Sequence, residues 1–241
     1  VVAGLYLEAR YAFLMSAGIA LLGMLPVLGL NFPDSHEADQ EAGAADAGFA
    51  SRLRSLWIAA PILVGAALVG GFYETGSNLV GTALALWLEF GEQAGLLAPG
   101  MIAFGSFAVQ YPVGLLADRV GVLVILRGSL VLLALSAAAI PLAQDLPWLI
   151  WPLMLIWGGI GGGLYTLGMI IVAGRFTGAA TLQATGLMVS LYTFGSFLGP
   201  AVSGVMLELA IFYGPALLFG ALAALGYWSS LEPGQKKELP N

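Results

Sequence analysis

Long apolar stretches separated by short polar interruptions run along the chain, and this pattern predicts a bundle of membrane helices. A membrane-spanning helix needs about 20 mainly apolar residues, and seven stretches reach that length. The predicted fold class is therefore all-α, a polytopic membrane bundle of seven transmembrane helices. The predicted spans are residues 11–30, 56–88, 94–117, 120–143, 148–173, 177–207 and 209–231.

The longest polar interruption, residues 31–55, predicts a solvated linker. Acidic side chains are scattered among Ala and Gly over much of its length. Low hydrophobicity combined with like charge keeps such a segment out of a packed core. A second polar segment, residues 232–241, ends the chain as a short tail that carries Lys236 and Lys237.

The basic residues predict which side of the membrane each interruption occupies. In a chain of seven spans, the linker, the turns at 118–119 and 174–178 and the tail share one face. That face holds every Lys and Arg except Arg10, with Arg127 just inside it. By the positive-inside rule it is cytoplasmic. Because charge played no part in choosing the spans, this agreement supports the count of seven.

Composition indicates the same class of protein. Apolar residues make up 59% of the chain and charged residues only 9%, and the mean hydropathy is +0.93. Soluble domains carry about 25% charged residues, so these values indicate an integral membrane protein with little soluble mass. No basic surface is available for a nucleic acid, and we expect no nucleic-acid partner.

The residue inventory argues against catalysis, and we expect no enzyme activity, no catalytic residue, no metal site and no cofactor. The chain has no cysteine, and its single histidine, His36, lies in the polar linker. The spans hold no clustered pair of carboxylates, so hydrolytic or metal chemistry has little to use. No lysine lies in a span, so retinal has no point of attachment.

Glycines occur at corresponding positions in two of the spans. The second span contains Gly70, Gly71 and Gly76, and the fifth contains the glycine-rich run 158–163. If spans two to seven form two consecutive triplets, these are the first helices of the two triplets. Paired, broken helices point to the central cavity of a transporter. The alternative interpretation is that the glycines only permit close packing of helices.

Glu74 is the only carboxylate deep within a predicted span, and it is the first candidate for proton coupling or substrate contact. A charged group at that depth costs about 3 kcal/mol on insertion scales, so it should face a cavity or a partner. Its neighbours Tyr73 and Asn78 add polar groups to the same stretch. The alternative interpretation places Glu74 near the outer interface, with the span ending earlier.

Side chains of the fifth and sixth spans form a second set of candidates. Trp157, Tyr165 and Thr166 lie in or beside the glycine run, and Tyr192 lies in the sixth span. Aromatic rings with polar tips bind small organic molecules in cavities, and they also serve in packing. We expect the partners to be a small-molecule substrate, protons and the surrounding lipid bilayer.

Residues 114–121 form a motif at the shortest polar interruption. They read Gly-Leu-Leu-Ala-Asp-Arg-Val-Gly, which places Asp118 and Arg119 in a two-residue link between Gly114 and Gly121. This motif resembles the loop signature of the major facilitator superfamily, Gly-x-Leu-Ala-Asp-Arg-x-Gly. The basic residues that usually follow its last glycine are absent from this chain.

The resemblance extends over nearly the whole chain and implies an order of parts. One span, a long linker and six further spans with the motif after their second member resemble the sixth helix, central loop and C-terminal half of such a transporter. We therefore expect the N-terminal half of the polypeptide to be missing from a chain that begins at Val1. The implied parts are the last helix of the N-terminal half (1–30), a cytoplasmic linker (31–55), a six-helix bundle of two three-helix repeats (56–231) and a cytoplasmic tail (232–241).

The implied function is secondary active transport of a small molecule by alternating access, and Glu74 favours proton coupling. Asp118 and Arg119, flanked by Gly114 and Gly121, would hold the cytoplasmic side as gating residues. Asp118 would lie near the start of the sixth span, where backbone N–H groups favour an anion. Gly195, Gly199 and Pro200 permit close helix contact and a kink, with a contribution to gating. A bacterial plasma membrane is the expected location. The alternative is a non-transporting structural or receptor-like helix bundle.

Overall fold

Six α-helices form a bundle in the computed structural model, which describes residues 61–231. Two short 3₁₀ segments, Ile140–Gln144 and Pro147–Leu149, connect the third helix to the fourth. No strand is present between residues 61 and 231. The helices are α1 (Pro61–Trp87), α2 (Glu92–Val120), α3 (Val122–Ala139), α4 (Ile150–Arg175), α5 (Ala179–Leu209) and α6 (Tyr213–Ser229).

These six helices coincide with the last six predicted spans, and the prediction of an all-α membrane bundle is confirmed. Among residues 61–231, four helical stretches are long and apolar enough to cross a membrane: Glu92–Val120, Val122–Gln144, Pro147–Arg175 and Ala180–Leu209. Helix α6 has only 17 residues, and α1 carries a polar run around Glu74. The count of seven spans therefore stays a prediction. Span 11–30, linker 31–55 and tail 232–241 lie outside the described residues.

The link between α2 and α3 is a single residue, Gly121. Its φ of 96° lies in the left-handed region that favours glycine. Its N–H donates to the Ala117 carbonyl oxygen at 3.0 Å and closes the last turn of α2. Asp118 and Arg119 therefore lie in the final helical turn, and the prediction that they form the link is wrong. The helical hydrogen bonds continue past both residues, because only Gly121 leaves the helical conformation.

Both glycine-rich helices run without a break, and their glycines serve close packing. A Cβ on Gly71 of α1 would collide with the Tyr192 carbonyl oxygen of α5. A Cβ on Gly158 of α4 would collide with the Ile102 carbonyl oxygen of α2. The interpretation of these helices as broken is therefore wrong, and backbone approach explains the glycines.

The pairing of the helices follows the expected division into two triplets. The most extensive contacts join α1 to α5 and α2 to α4, and α3 packs on α6. The first helix of each triplet therefore packs on the second helix of the other, and the two third helices pack together. If each helix of one triplet is exchanged with the corresponding helix of the other, the same pairs result. Two structurally related three-helix repeats would show this symmetry.

Candidate functional site

Glu74 lies half-buried on α1, where that helix crosses α4. A Cβ added to Gly161 of α4 would stand 3.4 Å from the Glu74 Cβ. The two helices therefore meet at this point, and the glycine makes room for the stem of the glutamate side chain. The prediction that Glu74 is a carboxylate within the helix bundle agrees with this placement.

An aromatic pair lies about one helical turn from Glu74. The rings of Tyr165 on α4 and Tyr192 on α5 pack edge to face, with centroids 5.1 Å apart. A Cβ on Gly70 of α1 would lie 3.4 Å from the Tyr192 ring. Gly70 precedes Glu74 by one turn, and Tyr165 follows Gly161 by one turn along a helix that runs antiparallel to α1. One turn is about 5.4 Å, so α1, α4 and α5 bring the carboxylate and both rings to one region.

Two other polar side chains of this region, those of Asn78 and Thr166, bond to their own helices. Asn78 donates from Nδ2 to the Glu74 carbonyl oxygen at 2.7 Å, and Thr166 donates from Oγ1 to the Gly162 carbonyl oxygen at 3.0 Å. Within residues 61–231 the Glu74 carboxylate accepts no hydrogen bond and forms no ion pair. Its two oxygens therefore stay available to a proton or a ligand.

Tyr73 and Trp157 point into the core. Both side chains are fully buried and pack edge to face against Phe219 of α6, with centroid distances of 4.9 and 5.7 Å. The Tyr73 hydroxyl and Trp157 Nε1 have no hydrogen-bond partner among the described residues. The nearby Ser136 hydroxyl donates to the Leu133 carbonyl oxygen. These two predicted site residues are therefore separated from the surface that Glu74 shares with Tyr165 and Tyr192.

Gly195, Gly199 and Pro200 lie where α5 crosses α1. A Cβ on Gly199 would collide with the Phe72 carbonyl oxygen, and one on Gly195 would press against the Leu68 carbonyl oxygen at 2.5 Å. These three residues therefore lie at a tight helix crossing, about one to two helical turns along α5 from Tyr192.

Two polar residues at this crossing were missed by sequence reasoning. The Thr75 hydroxyl on α1 donates to the Ser196 carbonyl oxygen at 2.9 Å, and the Ser196 hydroxyl donates to the Gly71 carbonyl oxygen at 3.2 Å. Pro200 was the available signal. A proline inside a helix leaves the carbonyl four residues earlier without a backbone donor, and that carbonyl belongs to Ser196.

The predicted gating residues of the 114–121 motif lie at the end of α2. Asp118 and Arg119 are exposed, and neither side chain forms a hydrogen bond or an ion pair within the part of the chain that the structure describes. The expected approach of Asp118 to the start of α5 is therefore not seen as a hydrogen bond. A Cβ on Gly114 would meet no atom within 4 Å.

A metal centre is not among the features of this region. No group of three or more His, Cys, Asp or Glu side chains that could hold a metal ion occurs between residues 61 and 231. The arrangement instead offers a carboxylate and two phenol rings to a small organic solute, groups that combine charge, hydrogen bonding and an apolar surface.

A six-helix bundle of paired triplets with an Asp-Arg motif at a helix end is the arrangement expected of half a membrane transporter. The chain belongs to the Major Facilitator Superfamily, whose sequence profile matches residues 66–241. It is similar to the uncharacterized MFS-type transporter YcaD of Salmonella arizonae, with 24% identity over 223 residues. YcaD of Salmonella heidelberg is 22% identical over 215 residues. Each match covers 87% of this chain and 52% of the relative, so the chain spans about half the length of these relatives.

Proposed function

We propose that this chain is the C-terminal half of a secondary transporter that moves a small organic molecule by alternating access, with proton coupling at Glu74. Membership of the superfamily and the MFS-type transporter named among its relatives support transport as the general activity. The proposal places the protein in a bacterial plasma membrane, with the linker, the motif end of α2 and the tail on the cytoplasmic side. Five further helices of the N-terminal half would complete the cavity.

The observation that carries the proton-coupling proposal is the unpartnered carboxylate of Glu74. It lies half-buried between two helices that belong to different triplets, and no cation of residues 61–231 neutralises it. A charge within a membrane bundle is costly unless it is paired or protonated. Binding or release of a proton at Glu74 would therefore change the relative stabilities of two conformations, one with its cavity open to one side of the membrane and one with it open to the other.

The aromatic pair supports recognition of a small organic solute in the same region. Tyr165 and Tyr192 are both half-buried, so one part of each ring packs while another part stays accessible. The two residues come from α4 and α5, and a solute held between them and Glu74 would contact three helices at once. Such contacts would couple occupancy of the site to movement of the helices.

The test uses the full-length protein, with both halves, in vesicles loaded with a pH-sensitive dye. A panel of small organic solutes is added with and without a pH gradient, and proton flux is recorded for the wild type, Glu74→Gln and Glu92→Gln. Glu92 is an exposed carboxylate in the first turn of α2 and serves as the matched control. We expect solute-dependent proton flux in the wild type and in Glu92→Gln, and none in Glu74→Gln.

The outcomes separate the parts of the proposal. Solute-dependent proton flux that is unchanged in Glu74→Gln would remove proton coupling at this residue. Solute uptake without proton flux would retain transport and remove the coupling. A protein that moves no solute beyond the level of empty vesicles would support the alternative, a non-transporting helix bundle.

A further inference from the structure

Arg127 lies within the first two turns of α3, and its guanidinium reaches the end of α6. Nε donates to the Ser230 hydroxyl at 3.1 Å, and Nη2 donates to the Ser230 carbonyl oxygen. The sequence predicts Arg127 just inside the basic face, and in the structure its guanidinium binds Ser230. The last carbonyl of a helix favours a cation, so this contact caps α6.

The cap uses only part of the guanidinium. An arginine has five N–H donors, and two of its nitrogens are directed at Ser230. No carboxylate between residues 61 and 231 pairs with Arg127. Its positive charge is therefore uncompensated within the described bundle, at the face that carries most of the basic residues of the chain.

An open apolar groove of about 350 Å³ runs between α3 and α6. Its lining includes Leu130, one helical turn after Arg127, and Leu231, which directly follows Ser230. On α3 it is lined by Leu130, Val131 and Ala134, which follow Arg127 at helical spacing along one side of the helix. On α6 it is lined by small residues, including Gly220, and by Trp228 near the Ser230 end. The groove is therefore apolar along its length and positively charged at one end.

We propose that this groove binds an anionic phospholipid, with an acyl chain between α3 and α6 and the phosphate on the Arg127 guanidinium. The polarity of the groove matches that of the ligand. The apolar acyl chain would contact apolar side chains, and the anionic head group would contact the uncompensated Arg127 cation. Basic pockets between membrane helices on the cytoplasmic side hold anionic head groups in this way. Trp228 is exposed beside the same end, where tryptophan favours the level of the head groups. A phospholipid bound here would tie the two outer helices of the bundle together.

The test measures retained lipid by native mass spectrometry on the full-length protein in mild detergent. Phosphatidylglycerol and phosphatidylcholine with identical acyl chains are added separately to the wild type, Arg127→Gln, Arg127→Lys and Gly220→Leu. We expect the wild type to retain phosphatidylglycerol over phosphatidylcholine. Arg127→Gln should lower phosphatidylglycerol retention about fivefold, and Arg127→Lys, which keeps the charge, should restore most of it.

Gly220→Leu tests the groove without touching the arginine. A Cβ at Gly220 would meet no atom within 4 Å, so a larger side chain fits and fills the groove without disturbing the fold. Gly128→Leu is the matched control, because Gly128 is equally free of neighbours and lines a different groove between α2, α3 and α4. We expect retention to fall in Gly220→Leu and to stay unchanged in Gly128→Leu.

Three results would overturn the proposal. The first is equal retention of phosphatidylglycerol in the wild type, Arg127→Gln and Gly220→Leu. The second is an equal loss in Gly220→Leu and Gly128→Leu. The third is full competition by glycerol 3-phosphate, which would identify a site for soluble phosphate in place of a lipid. Melting curves of each variant identify any that fail to fold, and Gly220→Leu and Arg127→Lys then decide the outcome.

Discussion

The hydroxyl of Thr75 on α1 donates a hydrogen bond to the backbone carbonyl oxygen of Ser196 on α5, across 2.9 Å. This carbonyl is the one that Pro200 leaves without a donor in its own helix. The same hydroxyl lies 3.1 Å from the Gly71 carbonyl oxygen, which already has its helical partner. Of these two carbonyl oxygens, that of Ser196 is therefore the one that relies on the Thr75 hydroxyl for a hydrogen bond. In a bilayer no water replaces such a bond, so neighbouring helices must supply it.

Thr75→Val should therefore destabilise the bundle. The substitution keeps the shape of the side chain and leaves the Ser196 carbonyl unpaired at the α1–α5 crossing, at a cost of about 1 kcal/mol. Unfolding of the full-length protein in mixed micelles measures the change. Thr166→Val is the control, because the Thr166 hydroxyl bonds only to the Gly162 carbonyl of its own helix. Equal losses in the two variants would contradict the special role of Thr75.

Gly158→Ala should cost more than the same change at Gly114. The new methyl group at position 158 would collide with the Ile102 carbonyl oxygen and force α2 and α4 apart, whereas at position 114 it would meet no atom within 4 Å. Overpacking of this kind costs about 1–3 kcal/mol, and an exposed change without new contacts stays within about 0.5 kcal/mol. Thermal unfolding in detergent measures both variants. Similar stabilities would show that the two helices are not in backbone contact.

Tyr73→Phe should leave transport unchanged and should not lower stability. Its hydroxyl is fully buried without a hydrogen-bond partner among the described residues, so its removal relieves a desolvation cost and breaks no bond. Solute uptake by the full-length protein, measured together with thermal unfolding, tests this expectation. Tyr192→Phe is the comparison, because its half-buried ring shares the region of Glu74 and loss of its hydroxyl should weaken solute binding. A transport defect confined to Tyr73→Phe would reverse the assignment of the two tyrosines.

Asp118→Asn should slow transport while preserving insertion and stability. The carboxylate is exposed at the end of α2 and makes no bond within residues 61–231, so its loss should change the free energy of unfolding by less than about 0.5 kcal/mol. A slower rate would then reflect a partner outside these residues, as the superfamily motif implies. Initial uptake rates in vesicles with matched protein content provide the measurement. Wild-type rates would remove Asp118 as a gating residue.

The sequence was sufficient for features that depend on local chemistry. Apolar stretches of span length predicted all six described helices. Glu74 was identified because a lone carboxylate in an apolar stretch is costly wherever the helix packs. Its position beside Tyr165 and Tyr192 could not be predicted, because spacing within one helix does not reveal which face meets which neighbour.

Features that depend on pairs of distant helices could not be predicted from the sequence. A glycine that bends a helix and a glycine that admits another backbone look alike in the sequence. At Gly158 the structure distinguishes the two, because the Ile102 carbonyl oxygen of α2 occupies the space that a side chain would need. Trp157 has the residue type of a binding group, yet it is fully buried in the core against Phe219 of α6. The partner of Arg127 lies 103 residues further along the chain, too far for helical periodicity to indicate.

The interlocking of α1 with α5 has a consequence for how the protein is made. The bond between Thr75 and Ser196 joins residues 121 positions apart. At a synthesis rate of about 5–20 residues per second, roughly 6 to 24 s separate the emergence of the two residues from the ribosome. During that interval α1 lacks α5, the helix with which it makes its most extensive contacts. Newly made chains therefore pass through a stage in which the glycine surface of α1 that packs on α5 is not yet covered.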